Sequence, residues 1–149
     1  MFKTYKTRLA AAFIAACTLG TPALAGQCPA GQDRANPLVD RPTAPKDVTD
    51  DVIGSIDLGK EVQFARHDLR MRRLVVQPGG IVPFHSHVGR PALILTESGE
   101  ITEYRTTCAV PIVHHAGELS READGLGHYW VNQGSTPAVL YSADVKAAD

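Results

Sequence analysis

The sequence has no excess of basic charge: 15 Lys and Arg stand against 16 Asp and Glu in 149 residues, a formal net charge of -1. Affinity for a phosphate backbone rests on Lys and Arg neutralising it, so nucleic acid is not an expected partner. Several chemical signatures are missing as well. There is no nucleophile elbow, no Gly-rich phosphate-binding loop, no cysteine pairing at zinc-finger spacing and no dinucleotide fingerprint, which sets aside serine hydrolysis and phosphoryl transfer. No unbroken apolar run reaches the roughly 20 residues that span a bilayer, and no membrane span is expected. Internal repeats, low-complexity tracts and amphipathic helices of about 12 residues are also lacking. The length leaves room for one globular domain and little more.

What is present begins with Lys3, Lys6 and Arg8, followed by an apolar stretch over 9–19 and the small-residue site Ala23-Leu24-Ala25. That order is the order of a secretory signal peptide. Cleavage is expected after Ala25, which removes residues 1–25 and leaves a more acidic chain in the periplasm or outside the cell. With no twin-Arg pair, export in the unfolded state is favoured. The alternative is a lipoprotein modified at Cys17, in the loosely lipobox-like run Ile14-Ala15-Ala16-Cys17, but the later site is better placed after the apolar core. Once Cys17 leaves with the leader, Cys28 and Cys108 remain. One disulfide between them is the simplest arrangement in an oxidising compartment; two free thiols, or Cys108 as a metal ligand, stay open.

Residues 26–51 read as an irregular N-terminal arm, because Pro29, Pro37, Pro42 and Pro45 interrupt helix and central strand alike. From residue 52 to 149 the pattern changes to short apolar or alternating runs over 52–58, 69–76, 81–87, 92–96, 101–104, 110–113, 128–131 and 138–141. Turn signals separate them at Pro78-Gly79-Gly80, Ser98-Gly99, Asp124-Gly125 and Gln133-Gly134-Ser135. About eight short strands at close spacing predict an all-β sandwich or barrel.

The chemistry concentrates in histidines. In His85-Ser86-His87 the two imidazoles are two residues apart, so on a strand they project to one side and can converge on one ion. His128, on a later strand, is able to close a face of three nitrogens. The spacing around them is more specific than the pair. Gly79, five residues, His85, one residue, His87, four residues, Ala92, six residues, Gly99 is one run; Gly117, five residues, Ala123, one residue, Gly125, two residues, His128, three residues, Asn132 is a second.

In that order the two runs resemble the first and second motifs of the cupin superfamily, each with one departure, and the likeness covers roughly residues 52–145. The resemblance implies a double-stranded β-helix, a jelly-roll-like barrel, with one divalent metal ion in its mouth held by His85, His87 and His128. Ala92 stands where many cupins place a glutamate ligand, and Ala123 where they place a Pro. Three neutral imidazoles without the carboxylate leave the ion its full double charge, which favours anionic ligands. Imidazole suits Zn, Cu, Fe and Ni alike, so the metal is not distinguished among Fe, Mn, Zn, Ni and Cu.

Arg90, between His87 and Ala92, is a candidate to hold a substrate carboxylate, since guanidinium pairs well with planar anions. Glu122, with Glu118, is a candidate general base. His114 and His115, being adjacent, face opposite ways; one is a candidate proton shuttle, with surface placement the simpler expectation. Tyr129 and Trp130 are expected in barrel packing, with one ring at the pocket mouth as an alternative, and His67 at an exposed strand position. The resemblance implies a metal-dependent oxygenase, or a lyase or isomerase, acting on a small molecule, with an anionic one favoured, and a homodimer joined through barrel edges. The alternative is a non-catalytic module that holds a small ligand or metal in the periplasm. A fold that hosts many functions does not decide between them.

Overall fold

The structure is a computed structural model in which residues 26–148 are described. The expected leader, its cleavage point after Ala25 and Cys17 lie outside the described residues. The elements are β1 (Lys46–Asp57), α1 (Leu58–Val62), β2 (His67–Ser86), β3 (Ala92–Ser98), β4 (Glu100–Arg105), β5 (Ile112–His115), β6 (Leu119–Glu122), β7 (Gly127–Val131) and β8 (Ala138–Ala147). All the strand pairings are antiparallel, and the strands form one nearly closed barrel, the expected all-β double-stranded β-helix.

Strand β2 organises the barrel by belonging to both of its walls. Its first half, through Val76, lies between β1 and β8, and its second half, from Ile81, pairs with β7. One wall therefore runs β1-β2-β8-β3-β6 and the other β2-β7-β4-β5. Alternate residues of β3 and β8 point inward, as a period of two requires of a half-buried strand. With β2 and β7 they enclose Leu74, Val76, Ile94, Ile101, Trp130, Ala138 and Leu140. Two motif residues act on this frame. Gly99 turns β3 into β4 at φ +74°, and a Cβ there would come within 2.5 Å of the Pro137 carbonyl, so only glycine fits. Asn132 donates from Nδ2 to the carbonyls of Val76 and Thr136, both at 2.8 Å, tying the end of β7 to β2 and to the approach to β8.

Three elements differ from the expectation. The Pro78-Gly79-Gly80 turn is a bend within one long strand rather than a break between two. β1 begins at Lys46, six residues ahead of the expected start at 52; as a strand paired on one side only, and exposed along nearly its whole length, it needs no apolar alternation. β6 was absent from the expected strands because its inward residues are polar, Ser120 and Glu122, both fully buried. The arm is irregular but docked. Cys28 and Cys108 form the expected disulfide, with Cα atoms 5.7 Å apart. Beyond it Arg34 and Asn36 donate backbone hydrogen bonds to Thr107 and Thr106, and Phe84 donates to Pro42.

Candidate metal centre

His85 and His128 are direct partners across β2 and β7, and His87 follows just past the end of β2. Their Nε2 atoms form a nearly equilateral triangle: 3.2 Å from His87 to His85, 3.0 Å from His87 to His128 and 3.1 Å from His128 to His85. Each ring is oriented from behind. Nδ1 of His85 donates to the Pro83 carbonyl at 2.9 Å, Nδ1 of His87 to the Arg90 carbonyl at 2.7 Å, and Nδ1 of His128 to Oε1 of Glu103 at 2.5 Å. With the protons on Nδ1, three Nε2 lone pairs face one another, an arrangement that is unfavourable unless a cation lies between them. An ion about 2.0–2.1 Å from each nitrogen can sit against a triangle of that size. Burial, and then the neighbouring His128, push the pKa of His85 and of His87 down to about 4, which keeps both rings neutral, as ligands must be. The residues present thus fit a metal ion.

Behind His128 lies a buried polar cluster. Glu103, on β4, accepts from His128 with one oxygen; with the other it accepts from Nε2 of His114 at 2.8 Å and pairs with Nε of Arg105 at 2.7 Å. Burial alone pushes Glu103 up, yet the hydrogen bonds from His114 and His128 and the charge of Arg105 hold it well below the ordinary carboxylate range. Glu122 faces the same guanidinium, 3.1 Å from Nη2, and its other oxygen is 3.4 Å from His128 Nδ1. Burial and the charge of Glu103 push Glu122 up. Expected as a general base, Glu122 instead lies behind the histidines, away from the space a substrate would enter. The simpler expectation of surface placement for His114 is corrected too: it is fully buried and stacked on Trp130, while His115 is exposed.

In front of the histidines is a small cavity lined by His85, His87, Arg72, Ser142, Trp130 and the apolar Leu74, Val82, Ile94 and Leu140. The room for the centre of a water-sized atom is ≈ 30 Å³, about two water positions. Arg72, not Arg90, is the cation of this lining. Arg90 is committed to Asp144, with Nε at 2.7 Å and Nη2 at 2.6 Å. Asp144 also receives Arg70, Nε at 3.0 Å and Nη2 at 2.7 Å, and lies 3.6 Å from Nη1 of Arg72, whose other face pairs with Asp50. Ala92 is buried between Glu122 and Asp144, its partners on the two flanking strands, and offers no ligand. Glu118 accepts from the His115 backbone, Tyr129 stacks on Tyr104, and His67, half-buried, stacks on Phe64; none of them reaches the cavity.

Sequence reasoning missed Glu103, Arg72 and Asp144. A signal existed for Glu103: Ile101, Glu103 and Arg105 share one strand face, so an apolar face continues into charged residues. Their placement against Trp130 and His128 follows only from the pairing of β4 with β7.

No family profile matches the chain. An auxin-binding protein of Prunus persica is 33% identical over 82 residues, 49% of this chain and 36% of that protein. A germin-like protein of Oryza sativa subsp. japonica is 34% identical over 76 residues, 48% of this chain and 33% of its own length. The matched stretch is thus about a third of each relative. Among solved structures, a predicted oxalate decarboxylase from Thermotoga maritima superposes with a TM-score of 0.54 at 18% identity, covering 71% of this chain and 93% of that one. A cupin domain from Schizosaccharomyces pombe gives 0.54 at 11% identity, over 72% and 69%. A recombinant oxalate oxidase in complex with glycolate gives 0.52 at 20%, over 71% and 54%.

Antiparallel walls that share one long strand, with histidines gathered at the end of that strand, define a double-stranded β-helix barrel with a candidate metal centre. This is the fold of the cupin domains and oxalate-handling proteins it superposes on, and the two motifs that run through it resemble those of the cupin superfamily.

Proposed function

We propose that the protein is an exported, metal-dependent enzyme acting on a small organic anion, with His85, His87 and His128 holding one divalent metal ion. The observation that carries this reading is the convergence of three Nε2 lone pairs beside a cavity that His85 and His87 line together with Arg72 and Ser142. A divalent ion bound there supplies Lewis-acid or oxygen-activating chemistry, which spans oxygenase and lyase or isomerase activities. The chain's own groups bind and orient. Arg72, only 15% exposed and paired with Asp50 through Nε and Nη2, keeps Nη1 to receive a carboxylate through a charge-assisted hydrogen bond. Ser142 offers a hydroxyl, and Leu74, Val82, Ile94, Trp130 and Leu140 exclude water and limit the substrate to a few non-hydrogen atoms. Glu103 keeps the proton of His128 on Nδ1 and raises the basicity of Nε2.

A second reading, a small-ligand or metal-binding module, is favoured by one observation: no carboxylate lines the cavity among the described residues, so no carboxylate acid or base stands in it. Location outside the cytoplasm is supported by the Cys28–Cys108 disulfide; no described helix is long and apolar enough to cross a membrane. A homodimer is proposed as the assembly, supported by exposed Ile53, Ile56 and Met71 on β1 and β2. The test is a screen of small carboxylates, carbonyl compounds and phenols with the metal-loaded protein. Turnover that is lost on chelation and restored by metal supports the enzyme. Metal and carboxylate binding without turnover supports the module, and a chain that takes up no metal contradicts both.

A further inference from the structure

The arm carries one residue into the cluster behind His128. Gly26 is buried, and its carbonyl accepts from Nη2 of Arg105 at 3.4 Å, the nitrogen that also reaches Oε1 of Glu122. Its φ is +80°, and a Cβ built on it would lie 2.6 Å from the Leu119 carbonyl oxygen and 3.0 Å from Nδ1 of His114. Glycine is therefore required both by the backbone and by the space. Two residues on, the disulfide from Cys28 to Cys108 fixes the start of the arm at this place.

The cluster that Gly26 meets is short of a positive charge, and a buried donor, Nε of Arg105, and two buried acceptors in it lack a hydrogen-bond partner. Two carboxyl groups, Glu103 and Glu122, face one guanidinium, Arg105. His114 donates through Nε2 to Glu103, which leaves Nδ1 as an acceptor, and this buried atom has no hydrogen-bond partner; neither has Oε2 of Glu122. Buried polar atoms without partners call for an explanation. A peptide N–H at Gly26 brings one donor and no charge. A free α-amino group brings three donors and, with an ordinary pKa of about 7.7–8.0, a positive charge at neutral pH.

We propose that hydrolysis of the Ala25–Gly26 bond makes the α-ammonium of Gly26 the missing cation of the Glu103–Arg105–His114–Glu122 cluster. Water adds across that peptide bond in the unfolded precursor, leaving a carboxylate on Ala25 and an amine on Gly26 that takes up a proton. Folding and closure of the disulfide then carry the amine against His114 and the two carboxyl groups. The inference rests on the Ala23-Leu24-Ala25 cleavage pattern and the buried cluster, and is independent of the metal and of any activity. It makes the position of the cut a structural requirement, since a cut one residue earlier leaves a bulkier, uncharged link where the ammonium belongs.

The test uses the full chain exported to the periplasm. Intact mass gives the N-terminus, and acetylation with an N-hydroxysuccinimide ester at neutral pH reads the amine, first in the folded, oxidised protein and then after denaturation and reduction. The expected result is a chain that begins at Gly26, with an α-amine acetylated at least tenfold more slowly when folded than when unfolded, while exposed Lys60 reacts in both. A variant processed to carry one extra Ala ahead of Gly26 should melt several degrees lower than the parent. A start at another residue, equal α-amine reactivity in the two states, or an unchanged melting temperature in the extended variant would overturn the proposal.

Discussion

Two charge clusters flank the histidines, a half-buried one in front and a buried one behind, and their side chains carry opposite net charge. On the cavity side, Arg70, Arg72 and Arg90 gather around Asp144, with Asp50 on the outer face of Arg72, so guanidinium exceeds carboxylate by one. Behind His128, Glu103 and Glu122 share Arg105, so carboxyl groups exceed guanidinium by one. Both clusters are built in one way, by placing charged residues at inward positions of neighbouring strands, as where Asp144 lies opposite Arg70 and Arg105 opposite His128. The difference teaches how the barrel manages without a carboxylate at Ala92. Negative charge sits one contact behind the histidines, where it would support a cation through the His128 ring, and positive charge sits in front, where it would draw an anion. The double positive charge expected for an ion on three imidazoles alone would therefore be tempered from the rear.

Breaking the triangle between the clusters gives the largest effect. Replacing His85, His87 or His128 by Ala should remove most of the bound metal, measured as metal content after dialysis against a chelator. Next comes the disulfide, which holds the arm over the rear cluster only. Its closed loop spans a separation of 80 residues, for which the chain-entropy model gives about 4.5 kcal/mol; denaturant unfolding of a Cys28→Ser, Cys108→Ser variant should approach that loss with the front cluster intact. Glu103→Gln should cost about 1–3 kcal/mol, because it weakens the buried charge-assisted hydrogen bonds from His114 and His128 while Glu122 still faces Arg105, and should lower metal affinity by 10–100-fold. Arg72→Leu, on the other side, should leave metal affinity within about twofold and weaken carboxylate binding about tenfold, a loss of ~1.4 kcal/mol, read by calorimetry.

Acid sharpens the same comparison. The hydrogen bonds and guanidiniums around Glu103 and Asp144 overcome the cost of burial and hold both below their ordinary values of 4.5 and 3.8. A carboxylate depressed in the folded state contributes its full stability above the unfolded value and loses it as pH falls further. Stability should therefore hold down to about pH 4.5 and decline below it. Glu122, pushed up, has the opposite sign: its contribution falls as pH rises through 4.5 and above. Glu122→Gln should thus make the alkaline side of the profile flatter and leave the acid limb in place. Denaturation curves between pH 3 and 8 check both limbs; an acid limb missing from the parent would contradict the assignment of Glu103 and Asp144.

The frame and the triangle were legible in the sequence because each depends on local spacing. Inward alternation marks β3 and β8, and His85 and His87 stand two residues apart. The disulfide followed from counting cysteines. What escaped lies across strands. Nothing near Arg72 in the chain marks it as a cavity residue, because its position depends on β2 crossing from one wall of the barrel to the other. Arg90, next to His87 in sequence, turns instead to Asp144 on β8. His114 was misplaced because polar side chains ordinarily face water, and no spacing showed where Glu122, a candidate general base, would turn; β5 and β6 point both inward toward partners supplied by β4.

The most direct test of the account is the metal content of the protein purified from the periplasm, set beside that of a variant in which His85, His87 and His128 are all replaced by Ala. The account predicts close to one divalent ion per chain in the parent and almost none in the variant. Equal metal in the two, or none in the parent even after incubation with Fe, Mn, Zn, Ni and Cu salts, would contradict it.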